Sequence, residues 1–313
     1  MSAGRVLITC RQMQNCIQEF LPALNEHALE LIMPEVVQQP TEDELIEIIG
    51  DVDGMIAGDD PLTARVLDHA KRMRIIAKWG VGIDGIDLAA ADARGIQVVN
   101  TPGVFGGEVA DIAAGYMVML ARQLHRIDAS VKAGGWLKHE GLSLGGKVLG
   151  VAGFGSIGQA VARRGQGFEM HVTAHDVADS ARATAGGMGV EMLGLDELFQ
   201  RSDFLVLCSP LTPETFHMVD ERTLALMRPG SFLINVARGP LVKETALAAA
   251  LESGQVAAAA LDVFEEEPLA ADSGLRRFEQ CVFGSHNASN TKEGVLRTSA
   301  KAVENLLRGL ELV

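Results

Sequence analysis

Three side chains in the last third of the chain have the types that proton and anion chemistry needs. Arg238 stands in Asn235-Val236-Ala237-Arg238-Gly239, just after the apolar run 232–235. Its planar guanidinium suits a bidentate grip on a 2-keto acid. His286 follows the short apolar run 281–283. An imidazole there titrates near neutrality, so it can give a proton to a keto oxygen on reduction and take it back on oxidation. Glu267, in Phe264-Glu265-Glu266-Glu267-Pro268, can hydrogen-bond that imidazole, fix its tautomer and raise its pKa. Singly, each also has an ordinary reading: a domain-bridging arginine, one of three solvated acids before a proline, a strand-end histidine.

Proton transfer at a carbon centre needs an electron carrier, and residues 148–176 supply the pattern for one. The run Val148-Leu149-Gly150-Val151-Ala152 reads as a buried strand, broken by Gly153-Phe154-Gly155-Ser156-Ile157-Gly158 and followed by a helical pattern over 159–164. Gly153 allows the tight turn, Gly155 lets backbone approach a pyrophosphate, and Gly158 lets helix pack on strand. The helix start at Ser156 and Ile157 offers N–H groups and a positive dipole end to phosphates. A second apolar run, 171–174, leads to Asp176, placed to accept from a ribose diol and thus to favour NAD over NADP. With 34 glycines in the chain the GxGxxG alone would be weak. Its order of strand, glycines, helix, strand and acid makes it specific.

These residues need scaffolds, and two are written in the chain. Strands are expected at 5–9, 29–33, 54–57, 74–77 and 97–99, then at 148–152, 171–174, 204–208, 232–235, 257–261 and 281–283. Amphipathic segments lie between them. Thr41-Glu42-Asp43-Glu44 is a capping box opening 45–49, and Asp220 caps 221–227. Gly95 stops the helix over 88–94, and residues 292–310 form one long helical pattern. The βα alternation predicts an α/β protein of two doubly wound parallel-sheet domains, with the chemistry in the cleft between them.

Composition narrows the partners. The chain has 313 residues, 48% hydrophobic, enough for two cores. A net charge of −14 and a pI of about 5.0 argue against nucleic acid or an anionic membrane. An anionic substrate must then be drawn in by a local basic site. Cys10, Cys16, Cys208 and Cys281 show no metal spacing and read as reduced, mostly buried thiols of a cytoplasmic protein. No metal site is expected. Met1-Ser2-Ala3-Gly4-Arg5 leads straight into a strand pattern, so no leader peptide is expected either. Residues 109–121 are apolar but carry Asp111 and are too short for a bilayer span, which predicts a buried helix. Trp79 and Trp136 are expected to be packing residues.

In order along the chain, these motifs resemble those of the D-isomer-specific 2-hydroxyacid dehydrogenases, nearest to the phosphoglycerate dehydrogenase branch. The resemblance covers Lys78-Trp79-Gly80-Val81-Gly82-Ile83-Asp84-Gly85-Ile86-Asp87, Asn100-Thr101-Pro102-Gly103 and Glu108-Val109-Ala110-Asp111. It continues through the glycine fingerprint, Asn235 to Gly239, Leu261-Asp262-Val263-Phe264, Glu267-Pro268 and His286. It implies a flavodoxin-like substrate domain (1–100, completed by 288–313) with a Rossmann NAD domain (101–287) inserted into it. It assigns catalysis to Arg238, Glu267 and His286. Gly153, Gly155, Ser156, Ile157, Gly158, Asp176, Ser209, Pro210, Val236, Ala237, Arg238, Asp262 and His286 would face NAD, with Asp262 on the nicotinamide carboxamide. Val81 and Gly82 would receive the substrate carboxylate with Arg238 and His286. Lys78 stands where relatives acting on phosphorylated substrates often place an arginine, which makes D-3-phosphoglycerate the leading substrate; D-glycerate and D-lactate are alternatives. A homodimer formed through the 109–121 region is also implied.

Three departures mark this chain. Gly284-Ser285 precedes His286 where the family commonly has Thr-Pro, Lys243 replaces a common Asp, and the chain ends at Val313, which predicts no serine-sensing C-terminal domain. Two other readings share the fold: a non-catalytic NADH-sensing protein, and a dehydrogenase of formate or phosphite. The Arg, Glu and His argue against the first; Glu267, where a formate enzyme is expected to carry Gln, argues against formate.

Overall fold

Twelve strands and the helices between them make two parallel sheets in a computed structural model describing residues 4–36 and 39–313. Residues 1–3, on which the expectation of no leader peptide partly rests, lie outside the described residues. The strands are β1 (Gly4–Ile8), β2 (Leu29–Ile32), β3 (Gly54–Ala57), β4 (Ile75–Lys78), β5 (Gln97–Val99), β6 (Val148–Ala152), β7 (His171–His175), β8 (Glu191–Met192), β9 (Phe204–Leu207), β10 (Ser231–Asn235), β11 (Val256–Leu261) and β12 (Val282–Phe283). They fall into two compact units, Met1–Val104 with Asn290–Val313, and Phe105–Ser289.

The first unit holds a five-stranded sheet in the order β2-β1-β3-β4-β5, all parallel. Strands covered on both faces should read as unbroken apolar runs, and β3 and β4 are buried at every residue. The last helix, Lys292–Gly309, packs on this sheet. Small residues set its approach: a Cβ at Gly54 would stand 2.8 Å from a Leu306 methyl, and one at Gly309 would stand 2.5 Å from Ile75. The capping box at Thr41 forms as the sequence predicts, opening the helix Glu42–Ile48.

The second unit holds seven parallel strands in the order β12-β11-β10-β9-β6-β7-β8. The chain runs outward from β6 to one edge, then returns to β9 on the other side. The carboxyl ends of β6 and β9 therefore mark a topological switch point, where open α/β sheets bind ligands. The helix Gly106–Arg122 buries Ala113, Met117 and Leu120 and turns Asp111 outward to Arg164, 2.6 Å away. It packs along the helix Ser156–Gly167.

One expectation changes. Trp136 is 78% exposed, so it is not a packing residue of this fold; it lies in 135–144, outside helix and strand, with no apolar surface closed over it. Trp79 is buried and its indole N–H donates to Ser299 Oγ at 2.9 Å. All four cysteines are unpaired as disulfides, and burial pushes the Cys10 and Cys208 thiols up to about 12.

Candidate active site

The glycine turn after β6 shows three different uses of a missing side chain. Gly153 has φ +93°, and a Cβ there would stand 2.6 Å from the Ser209 nitrogen and 2.7 Å from the Cys208 carbonyl carbon. The turn thus lies directly against the segment Cys208-Ser209-Pro210 that leaves β9. A Cβ at Gly158 would meet the Gly153 oxygen at 2.0 Å, so helix and turn touch. At Gly155 a Cβ would meet nothing within 4 Å. That open side, with the helix start at Ser156 and Ile157 capped by no side chain, is what a pyrophosphate requires.

Asp176 closes the same corner from β7. Its Oδ2 accepts from the Phe154 N–H at 2.6 Å and its Oδ1 from the Ala178 N–H at 2.8 Å. Each carboxylate oxygen keeps a second lone pair for a ribose hydroxyl. Val177 beside it is 93% exposed and carries no cation that a 2′-phosphate would call for. The residues present fit a dinucleotide without that phosphate.

The expected contact between His286 and Glu267 is formed. His286 Nδ1 and Glu267 Oε2 are 2.7 Å apart. Glu267 Oε1 accepts from the Phe264 N–H at 3.0 Å, so both carboxylate oxygens are directed. His286 adopts φ +54°, in the left-handed region, and its N–H donates to the Asp262 carbonyl at 2.7 Å. That bond and one from Gly284 N–H to the Leu261 carbonyl continue the β11–β12 ladder past its last strand residue. Nδ1 is thus turned to the carboxylate and Nε2 away from it.

Arg238 reaches the site on the loop after β10. Asn235 pins that loop: its amide donates to the Arg238 carbonyl at 2.8 Å and accepts from the Ala237 N–H at 3.1 Å. Val236 is buried in the same turn, and the Arg238 guanidinium donates to the Ala237 carbonyl at 2.9 Å. A Cβ at Gly239 would stand 1.7 Å from the Phe264 oxygen, so the Arg238 loop lies on the segment that carries Glu267. Sequence reading quoted Asn235 without giving it a task; its place at a strand end, inside the arginine motif, was the available signal.

Asp262, expected on the carboxamide, is 2% exposed and bonded by Tyr116 and Ala288. In the first unit, Val81 and Gly82 lie in the turn after β4, held by Asn100, whose amide donates to the Val81 carbonyl at 2.6 Å. Thr101 bonds both backbone groups of Gly80. Lys78 is buried, and its ammonium is 3.1 Å from an Asp59 carboxylate oxygen and 3.0 Å from the Trp79 carbonyl. Among the described residues no cluster of His, Cys, Asp or Glu could hold a metal ion, and no helix is long and apolar enough to cross a membrane.

A doubly wound sheet with a glycine turn at its switch point and a tethered histidine–glutamate pair is the arrangement of nucleotide-dependent dehydrogenases. A family model for the NAD-binding domain of D-isomer specific 2-hydroxyacid dehydrogenases matches residues 114–288. A glyoxylate reductase of Korarchaeum cryptofilum is 38% identical over 294 residues, spanning 92% of this chain and 88% of its own. A D-3-phosphoglycerate dehydrogenase of Methanocaldococcus jannaschii is 37% identical over 297 residues, 91% of this chain but 56% of that one. The D-lactate dehydrogenase of Aquifex aeolicus, solved with NAD and lactic acid, superposes with a TM-score of 0.83 at 28% identity, covering 96% of this chain and 93% of its own. The chain belongs to the D-isomer specific 2-hydroxyacid dehydrogenase family, and its second unit is that family's NAD-binding domain.

Proposed function

We propose that this chain reduces a small, unphosphorylated 2-keto acid of the glyoxylate and hydroxypyruvate class to the D-2-hydroxy acid, using NADH. The observation that carries the reading is the 2.7 Å His286–Glu267 pair, held by backbone bonds at the end of β11. The cofactor, held by Gly155, the helix start at Ser156 and Asp176, supplies a hydride for C2 when bound. Arg238 grips the carboxylate and polarises the carbonyl, while the Val81 and Gly82 amides receive the carboxylate. His286, protonated, gives its Nε2 proton to the carbonyl oxygen as C2 gains the hydride, so the alkoxide never stands free. Glu267 fixes the ring and balances the imidazolium. In oxidation the same proton returns to Nε2.

The surroundings of Lys78 favour an unphosphorylated substrate. Its ammonium is already matched to Asp59, with Asp60 next in sequence, so a phosphate dianion would meet acidic groups as well as the lysine. The Methanocaldococcus jannaschii relative keeps D-3-phosphoglycerate as the second reading. The test is NADH oxidation at 340 nm with glyoxylate, hydroxypyruvate and pyruvate, and NAD reduction with D-3-phosphoglycerate. Turnover of the first group, lowered 10²- to 10⁴-fold or so by His286→Ala, is expected. NADH binding without turnover of any of them would sink the reading.

A further inference from the structure

Tyr116 is the chain's single tyrosine. It lies two-thirds along the helix Gly106–Arg122, 9% exposed, and its hydroxyl donates to Asp262 Oδ1 at 3.2 Å. The other Asp262 oxygen accepts from the Ala288 N–H at 2.8 Å, and the Asp262 carbonyl accepts from His286 N–H at 2.7 Å. One aspartate therefore grips the backbone at His286 and again two residues beyond it. The space around that grip is full. A Cβ on Gly284 would stand 2.1 Å from Asp262 Oδ1 and 2.5 Å from the Tyr116 hydroxyl. The bare glycine leaves room for the bonded pair: any side chain at 284 needs the space that Asp262 Oδ1 and the Tyr116 hydroxyl use.

We infer that Tyr116 is a positioning residue for His286, acting through Asp262, and that Gly284 is its required complement. The inference rests on the acid–base role proposed for His286. Its logic is that of an outer-shell hydrogen bond. A buried carboxylate keeps one orientation only while its donors are in place, and a left-handed histidine keeps its ring direction only while its flanks are tied. Where the family commonly places threonine, a hydroxyl at 284 would arise beside Asp262. Here the hydroxyl comes from the facing helix instead, which accounts for the glycine at 284.

The experiment compares Tyr116→Phe, Gly284→Thr and the double variant in kcat, in KM and in the NMR titration of the His286 imidazole. Tyr116→Phe is expected to lower kcat roughly tenfold with the keto-acid KM within about twofold, because orientation rather than binding is lost. It should also move the His286 titration. Gly284→Thr alone should be the less active single variant, and the double variant should stay as low, because the new Cβ would still stand 2.1 Å from Asp262 Oδ1. A Tyr116→Phe protein with parental kcat and parental His286 titration would overturn the inference. Since Tyr116 is unique, 3-fluorotyrosine labels it alone and gives a measurement on the unsubstituted fold. Its 19F resonance should follow the His286 titration and become flat in His286→Ala; flatness in the parent would equally overturn the coupling. The NMR readings need no turnover, so a chain that reduces none of the keto acids fails the functional reading while the positioning is still decided.

Discussion

Glu267 does two things at once, and a single substitution separates them. Its Oε1 holds the Phe264 N–H and its Oε2 faces His286 Nδ1, so it is both a brace and a counter-charge. Glu267→Gln keeps the shape and an acceptor oxygen but removes the charge. An imidazolium without its carboxylate partner loses its proton more readily. Reduction needs the protonated ring, so the activity of the variant should fall off at lower pH than that of the parent. Its kcat at neutral pH should drop roughly 10- to 100-fold. A pH–rate profile with an unmoved basic limb would show that the brace matters and the charge does not.

At the scale of elements, the turn between β6 and its helix divides stability from binding. Gly153 and Gly158 are fixed by contacts within the fold, whereas Gly155 faces open space. Gly155→Ala should therefore leave the melting temperature within a degree or two and weaken NADH binding about tenfold or more, read by calorimetry. Gly158→Ala, aimed at a carbonyl 2.0 Å away, should instead lower stability. Much of this was legible in the sequence, because strands buried on both faces leave unbroken apolar runs and a glycine fingerprint has fixed spacing. β8 was missed: two residues at a sheet edge are too short for any pattern. Tyr116 was missed for a different reason. Within the apolar run 109–121 it reads as one more core residue, and only the facing Asp262 gives its hydroxyl a task. Lys78 shows the opposite failure, since sequence displays the cation but not the Asp59 carboxylate brought beside it from the end of β3.

At the scale of the molecule, one buried acid should leave its mark on stability. Asp60 is 2% exposed in the first unit, accepts from the Thr9 hydroxyl, and is pushed by burial from 3.8 up to about 6, against the opposing pull of Thr9 and Lys78. A folded state that holds this proton more tightly than the unfolded chain gains most from it below about pH 4. The gain is lost as pH rises through about 6. Between pH 4.5 and pH 7 the parent should lose on the order of 2 kcal/mol that Asp60→Asn does not lose. Denaturant titrations of both proteins at pH 4.5 and pH 7 measure the difference, and parallel pH dependence would refute the assignment.

The first sheet is covered by the helix Lys292–Gly309, which the chain delivers only after the whole of Phe105–Ser289. During synthesis β1 to β5 leave the ribosome with that covering helix still unmade. The inserted unit, continuous in sequence, can close on itself meanwhile. Translation at roughly 5–20 residues per second makes the wait on the order of ten seconds or more. The strands that must wait are those whose residues are buried to the last one, β3 and β4, with Gly54 and Ile75 at the waiting face. The order of birth thus runs against the order of maturation: the unit whose strands are made first is the one completed last.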